Sequence, residues 1–531
     1  MTDSTPSDEA HGGDGATPTS VAEVAADPQE EDTSAQTLAR QSSIAFGGNL
    51  IKKVFGFLIV AVITRLVSPS VYGLFILATS IVLFVQAFAS LGLPKAVDYF
   101  VPQYLQSGER GKARGVIVEV VLLVLITSGL TAVVIYVSAG TIAAAFDEPA
   151  LATALIVLTI TIPLLAIYNV LLASFNAIKR LQYRVYTRDI VRPTVRLTAT
   201  AALLFLGYGL LGLVGGYVVG LLTAIVVGTV LLRRRVPEIT EVQTRTVKPR
   251  SLLWYSMPLA VAGVIYTVLG QVDYFVIGYF QSSEGVGIYR VGYMLAANLL
   301  IVFSSVSPVF KPLIAEAKDD DEAVQQRFRT AMRWVAGLTL PLALTLAIGA
   351  EVYLALVFTP QYAVAGAAVV VLCVGYFVSV TCGGPDGALL QGMGYSRLVF
   401  ANTILLVLTN ITVSILLVPR IGITGAAIGT ASALAVAGIA ALIEVYYLRG
   451  IHPFTTDLAK VFVAAVPAAV AGWLVTTLAP GLLLAAVGIP AAVLVTYAGV
   501  LVATDAFTEE DVEVAEQFGP DVRRLVSAAQ E

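Results

Sequence analysis

From residue 44 to residue 503 the chain alternates long apolar runs with short polar breaks. Fourteen runs reach or approach the length, roughly 18 residues or more, that a helix needs to cross hydrocarbon about 30 Å thick. Their approximate limits are 44–66, 74–101, 115–138, 151–173, 190–207, 210–232, 255–279, 286–309, 334–350, 363–383, 398–418, 423–447, 458–478 and 482–503. Each must be a helix, because in lipid every backbone N–H and C=O needs a partner within its segment or in a closed barrel. The runs are too long and too evenly apolar for barrel strands. The expected fold is an all-α polytopic membrane protein with about fourteen transmembrane helices.

The pattern also repeats. The stretch from Ile44 to Tyr104 reads as an apolar run, the break RLVSPSVYGLF, and a second run ending ASLGLPKAVDYFVPQY. At an offset of 214 residues the layout returns, so that Gly56 meets Gly270, Ser68 meets Ser282, Gly73 meets Gly287 and Pro94 meets Pro308. Further on, LGYGLLGLVGGY parallels PRIGITGAAIGT, pairing Gly209, Gly212 and Gly216 with Gly422, Gly425 and Gly429. Glycines so spaced read as surfaces for close helix packing. Six helices, an even number, separate the two copies, so both point the same way, and sites in such parallel repeats tend to lie between the halves. The predicted organisation is a tail over 1–40, a six-helix half over 41–235, a basic linker over 236–250, a second six-helix half over 251–449, helices 13 and 14 over 450–504, and a tail over 505–531.

Composition and charge agree with that layout. The chain is 57% hydrophobic and 13% charged, against about 25% charged in soluble domains. With the N-terminus inside, inner loops and tails hold 25 of the 32 Lys and Arg, while outer loops hold Arg65, Arg290 and Arg420. This is the positive-inside bias, and it predicts a plasma-membrane protein with both termini cytoplasmic. Residues 1–40 carry nine acids against Arg40 alone, a composition that does not fold by itself. That segment also lacks the basic start and apolar core of a cleavable signal. The tail over 505–531 is likewise acidic, with VEVAEQFGPDVRRLV able to form a short amphipathic helix. Cys373 and Cys382 lie nine residues apart in one span and match no metal motif. With His11 and His452 the only histidines, no His-based catalytic or metal centre is expected, and no cofactor.

The patch in helix 1 followed by TRLVSPSVYGLF and SLGLPKAV resembles the polysaccharide-biosynthesis flippases of the MOP exporter superfamily. So do QVDYFVIGYFQSSEGVGIY in helix 7, FTPQY at Phe358–Tyr362 and GITGAAIG at Gly422–Gly429. The resemblance covers about residues 40–450. It implies a V-shaped, MATE-like pair of halves and a Wzx-type transporter, not an enzyme. Such a transporter moves lipid-linked oligosaccharide from the cytoplasmic to the outer leaflet by alternating access. Membrane lipids and glycosyltransferases or glycan-transferring enzymes are its implied partners, and nucleic acid is not. A cation-coupled multidrug exporter and a flippase for the peptidoglycan precursor would share the fold. A membrane glycosyltransferase or polymerase would need a large outer domain, and the outer loops here are only about a dozen residues.

Charges inside membrane helices are costly and default to functional candidates. Asn49, Lys52, Lys53 and Gly56 follow i, i+3, i+4, i+7 spacing and share one face. The two lysines either line a cavity suited to a diphosphate or snorkel to the nearby surface. Lys95 and Asp98, just past an expected kink at Pro94, either face the cavity or pair with each other. Asp273, deep in helix 7, either counters a base such as Arg290 or Lys52, or binds a coupling H⁺ or Na⁺. Arg290 either guards the outer gate or sits at the interface.

Overall fold

The computed structural model describes residue 51 and residues 53–237 and 241–506. The acidic tail over 1–40, nearly all of the tail over 505–531, Asn49 and Lys52 lie outside the described residues. Everything regular among the described residues is helical, in twenty main segments. These are α1 (53–66), α2 (Pro69–Ala89), α3 (Pro94–Gln106), α4 (Arg110–Ala145), α5 (Pro149–Leu158), α6 (Thr161–Ala177), α7 (Leu181–Val185), α8 (Arg192–Phe205), α9 (Gly209–Arg235) and α10 (Pro249–Leu269). They continue as α11 (Val272–Phe280), α12 (Ser283–Ala296), α13 (Leu300–Glu316), α14 (Asp321–Ile348), α15 (Gly366–Val378), α16 (Gly384–Gly392), α17 (Ser396–Ile421), α18 (Ile423–Arg449), α19 (Thr456–Leu478) and α20 (Leu482–Ala503).

Eleven helices among the described residues are long and apolar enough to cross a membrane, and α5 with α6, bent by 43°, makes a twelfth. The expected count was fourteen. The first expected span falls short because the described part of α1 covers only 53–66. The fifth falls short because the helical stretch 181–205 carries Arg184, Arg188, Asp189, Arg192 and Arg196. The second span also differs: it starts at Pro69 and ends at Ala89, where a kinked helix over 74–101 was expected. The chain turns over between α2 and α3 with Leu91 at φ 48° and Gly92 at φ 66°. A Cβ on Gly92 would lie 2.7 Å from the Ser256 carbonyl oxygen, so both the backbone and the space there ask for glycine.

Ser68 and Ser282, the serines matched at the 214-residue offset, cap α2 and α12. Their hydroxyls accept from Val71 N at 3.4 Å and from Gly285 N at 3.3 Å, an N-cap arrangement that satisfies an otherwise orphaned amide. The two helices so started cross each other with almost nothing between them. A Cβ built at Gly73 would sit 1.6 Å from the Ser283 oxygen and 2.8 Å from Gly287 N; one built at Gly287 would sit 2.2 Å from the Pro69 oxygen and 3.0 Å from Gly73 N. Backbone meets backbone, and the contact is reciprocal.

Around that crossing lies the main apolar core, drawing on residues from Ile59 to Ala427, among them Tyr72, Phe75, Leu155, Tyr289, Tyr362 and Leu372. Away from it the packing divides. One core gathers Leu93, Val97, Val116, Val120, Val170 and Leu252; another gathers Phe310, Ile314, Phe328, Leu389 and Val445. The first part of the chain and the later part thus share a core at one end and have separate cores at the other. Tyr255 of α10 stacks on Tyr99 at 4.3 Å, so the first turns of α10 pack against α3. Helices α19 and α20 rest on α14 through Ala336, Val461, Ala464, Ile489 and Val493. The paired glycines behave as the packing reading expects: a Cβ on Gly216 would meet Thr200 Oγ1 at 2.0 Å, and one on Gly429 would meet Ser414 Oγ at 2.1 Å.

The crossing makes a clear prediction. Gly73→Ala must push α2 and α12 apart, with an overpacking cost of about 1–3 kcal/mol. We expect a lower thermal midpoint in detergent for this variant. Gly129→Ala, where nothing lies within 4 Å of the new Cβ, should match or slightly exceed the parent.

Candidate functional site: a guanidinium cluster and a buried carboxylate

Residues 181–205 form one helical stretch, α7 and α8 joined by a π-helical turn over Tyr186–Val191. Arginines recur in it at every fourth position: Arg184, Arg188, Arg192 and Arg196. The expected span began at residue 190 and left the first two in a loop. Charge lowers the apolar signal of those turns, so the helix runs farther than its hydropathy suggests. The π turn, with its i→i+5 bonds, is an insertion of a kind that often marks functional sites.

The four guanidiniums are unevenly compensated. Asp189, fully buried, takes Arg188 by two bonds, Nε to Oδ1 at 2.7 Å and Nη2 to Oδ2 at 3.0 Å. Arg192 and Arg196 are held by aromatic rings instead. Arg192 lies 4.8 Å from the Tyr168 ring centroid and 5.6 Å from that of Tyr217, and its Nη2 donates to the Tyr217 hydroxyl at 3.3 Å. Arg196 lies 5.0 Å from the Tyr217 ring and 5.7 Å from Phe75. Arg184 Nε and Arg196 Nε are buried with no hydrogen-bond partner. Close packing of α9 fixes this face: a Cβ on Gly220 would lie 2.8 Å from the Arg196 Cβ. Buried Tyr72 interacts with both Arg196 and Arg290. Arg290, on α12, donates Nη1 to the Tyr274 hydroxyl at 2.8 Å and stands 5.8 Å from that ring. Arg196 and Arg290, one from each part of the chain, thus meet at Tyr72 beside the glycine crossing, and Arg192 lies one turn from Arg196.

Asp273 has a different setting. The helix breaks at Gly270–Gln271, and Asp273 sits in the first turn of the new segment α11, where the free amides and the helix dipole favour negative charge. Tyr289 and Thr430 hydroxyls each donate to Oδ2 at 2.6 Å, and Asn410 Nδ2 donates to Oδ1 at 3.1 Å. The expected pairing with Arg290 is not made, because Arg290 turns to Tyr274, and the carboxylate is satisfied by neutral donors. A cavity of ≈ 190 Å³ adjoins it, touching Asn410, Thr430, Tyr293 and Tyr376. Asn410 Oδ1 and Ser414 Oγ, one turn apart on α17, are buried and have no partner. A carboxylate, an amide oxygen and two hydroxyls suit a small hard cation or a proton.

The other expected site residues fall elsewhere. Lys95 and Asp98 pair at 3.5 Å on α3, with the lysine side chain 65% exposed. Asp98 also accepts from Asn176 Nδ2 at 3.5 Å. They lie beyond the break at Gly92 and outside the long span expected to hold them. Lys53 is exposed on α1. Neither the arginine ladder nor the partners of Asp273 follow from the pattern of apolar runs. The first was visible as a period of four; the second join positions 137 and 157 residues from Asp273, which no single-sequence pattern reveals.

Tyr217 carries two of the stacked cations, so its ring can be tested. Cation–π contacts contribute about 0.5–2 kcal/mol each. Tyr217→Leu should lower stability by about twice that, whereas Tyr217→Phe should lose only about 1 kcal/mol with the Arg192 hydrogen bond. Thermal unfolding of the two purified variants separates these outcomes.

Known proteins repeat this architecture. The chain is 28% identical over 184 residues to an uncharacterized membrane protein of Methanocaldococcus jannaschii, covering 34% of this chain and 36% of that one. It is 22% identical over 205 residues to the probable low-salt glycan biosynthesis flippase Agl15 of Haloferax volcanii, covering 37% and 43%. The chain thus spans less than half the length of either relative. Among solved structures it matches the lipid II flippase MurJ in an inward closed conformation with a TM-score of 0.69, at 14% identity over 85% of this chain and 96% of that one. An inward-facing multidrug resistance MATE family transporter of the MOP superfamily matches with a TM-score of 0.64, at 13% identity over 75% and 94%. At such identities these two establish a shared fold, that of a multi-pass membrane protein. The family profile described as "Polysaccharide biosynthesis protein" matches residues 62–367, more than half of the chain, and this protein belongs to that family.

Proposed function

We propose that the protein is a flippase for lipid-linked oligosaccharide, carried on a polyprenyl or dolichyl phosphate, from the cytoplasmic to the outer leaflet. The observation that carries this reading is the convergence of Arg192, Arg196 and Arg290 where the two parts of the chain meet. Rings hold these cations in place, and rings do not neutralise them. Uncompensated charge at membrane depth is expensive, and an anionic headgroup would offset that cost. Guanidiniums suit phosphate oxygens because their forked donors bind two at once. A small cationic drug would be repelled by the same lining, which disfavours the multidrug exporter. In this reading Asn49, Lys52 and Lys53 extend the polar wall, the halves rock about the glycine crossing, and no catalytic step is involved. The protein works in the plasma membrane with both termini in the cytoplasm, beside the glycosyltransferases and glycan-transferring enzymes that make and use its cargo.

Asp273 is the coupling carboxylate in this proposal and takes H⁺ or Na⁺. The unpartnered Oδ1 of Asn410, whose amide nitrogen already holds Asp273, completes its shell. Conformational coupling between sites is typically about 5–150-fold, so Asp273→Asn should reduce gradient-dependent transport by a factor in that range. Membrane levels should stay normal, and flipping assays with and without an imposed ion gradient make the check.

For the substrate, deletion of the gene should cause completed lipid-linked glycan to accumulate in a form that impermeant probes cannot reach from outside. Arg192→Gln with Arg196→Gln should fail to restore it at normal membrane levels. An unchanged glycan pool together with lost dye resistance would instead identify a drug exporter.

A further inference from the structure

The helices that present Asn410 and Thr430 carry polar groups that neither the guanidinium cluster nor Asp273 uses. Along α17, positions four apart read Asn402, Leu406, Asn410 and Ser414, so one face is polar at every step but one. Facing it, α18 presents Thr430, Leu434 and Gly438, and a turn and a half later Glu444. Asn402 Nδ2 donates to Glu444 Oε2 at 2.8 Å, which joins a second intramembrane carboxylate to the stripe through a neutral amide. Small residues on α18, Ala437, Gly438 and Ala441, leave a cavity of ≈ 140 Å³ that Asn402 and Thr403 also line. Leu406 and Leu434 line both this cavity and the ≈ 190 Å³ cavity beside Asp273. Each space has room for several waters, since one water needs only about 10–15 Å³ of such volume together with polar partners. Toward the other end of the same helix pair, Val418, Ala426 and Ala427 are fully buried in the main apolar core.

We propose that this stripe is a hydrated route by which a small monovalent cation reaches Asp273 from the end of the helix pair where Ser396 and Arg449 lie. Glu444 is the charge at its mouth and Leu406 with Leu434 its dry partition. The proposal rests on the reading of Asp273 as the coupling carboxylate and adds the path that serves it. A cation moving through apolar packing alone would lose its hydration with nothing in return. Along this face it meets Glu444, Asn402 and Thr403, then a single apolar step, then Thr430, Asn410 and Asp273. The partition is two side chains thick, so a change of leucine rotamer is enough to open it.

Silver ion, a small monovalent cation that binds a thiolate with release of the thiol proton, is the probe. In full-length protein with Cys373→Ala and Cys382→Ala, reconstituted in vesicles, single cysteines are placed at Ala437 in the cavity lined by Asn402 or at Ala433 beside Asp273. Blocking by silver is then read as protection from later alkylation in denaturant. We expect Leu406→Phe to slow the blocking of the residue 433 cysteine about tenfold, equal to about 1.4 kcal/mol of barrier, and to leave that at 437 unchanged. Glu444→Gln should slow both. If the 437 cysteine does not react, or if reaction at 433 ignores Leu406 and Glu444, the route is overturned; in the latter case the cation enters from the side of Gly270. Neither result touches the coupling role, which Asp273→Asn tests by the loss of gradient dependence. The expected silver pattern alongside an unaltered Asp273→Asn protein would support the route and overturn the coupling reading.

Discussion

A guanidinium in hydrocarbon cannot simply be buried. It needs an acid, a ring, water or a ligand, and the choice among these arranges the interior of this protein. Arg188 has an acid, Asp189, at 2.7 Å. Arg192, Arg196 and Arg290 have rings, which stabilise a cation by their quadrupole without cancelling its charge. The α9 glycines let α8 sit close enough to Tyr217 for that stacking, and Tyr72 links Arg196 of the earlier chain to Arg290 of α12. Much of the aromatic and glycine content around the central crossing is thus explained by the need to keep buried positive charge ordered.

Asp273 solves the opposite problem with opposite means. Its partners are three neutral donors from three other helices, so its charge is solvated but not consumed by a cation of the protein. Unlike charges are therefore present at similar positions in the fold and kept apart, with Arg290 on Tyr274 and Asp273 on Tyr289. Tyr274 and Tyr289 themselves stand 6.1 Å apart edge to face. A direct ion pair would have been the simpler way to hide both charges. In its absence Arg290 and Asp273 are each held by neutral groups.

The sequence made the membrane spans and the special glycines legible because both leave local marks. An apolar run of membrane length has few other uses, and a glycine amid such a run signals close approach. Asp273 was equally visible as a lone acid in an apolar helix. The arginine face was not, because a scan for apolar runs treats every charge as an ending, and Arg184 and Arg188 make span five begin too late. Lys95 and Asp98 make the pair that their spacing allows, but the left-handed turn at Leu91 and Gly92 puts them on a separate helix, and φ is not written in hydropathy. The ligand shell of Asp273 depends on which helices are neighbours, and that information lies in packing between distant parts of the chain.

The crossing of α2 and α12 has a kinetic consequence. Where backbone meets backbone, at Gly73 and Gly287, there are no rotamers to adjust and no flexible tips to stretch across a widening gap. Dispersion forfeits a quarter to a half of its well depth within roughly 0.5–1 Å of separation, so such a seam is either shut or lost. A latch of this kind releases abruptly, and it favours two discrete arrangements of the molecule over a continuum of partly parted ones.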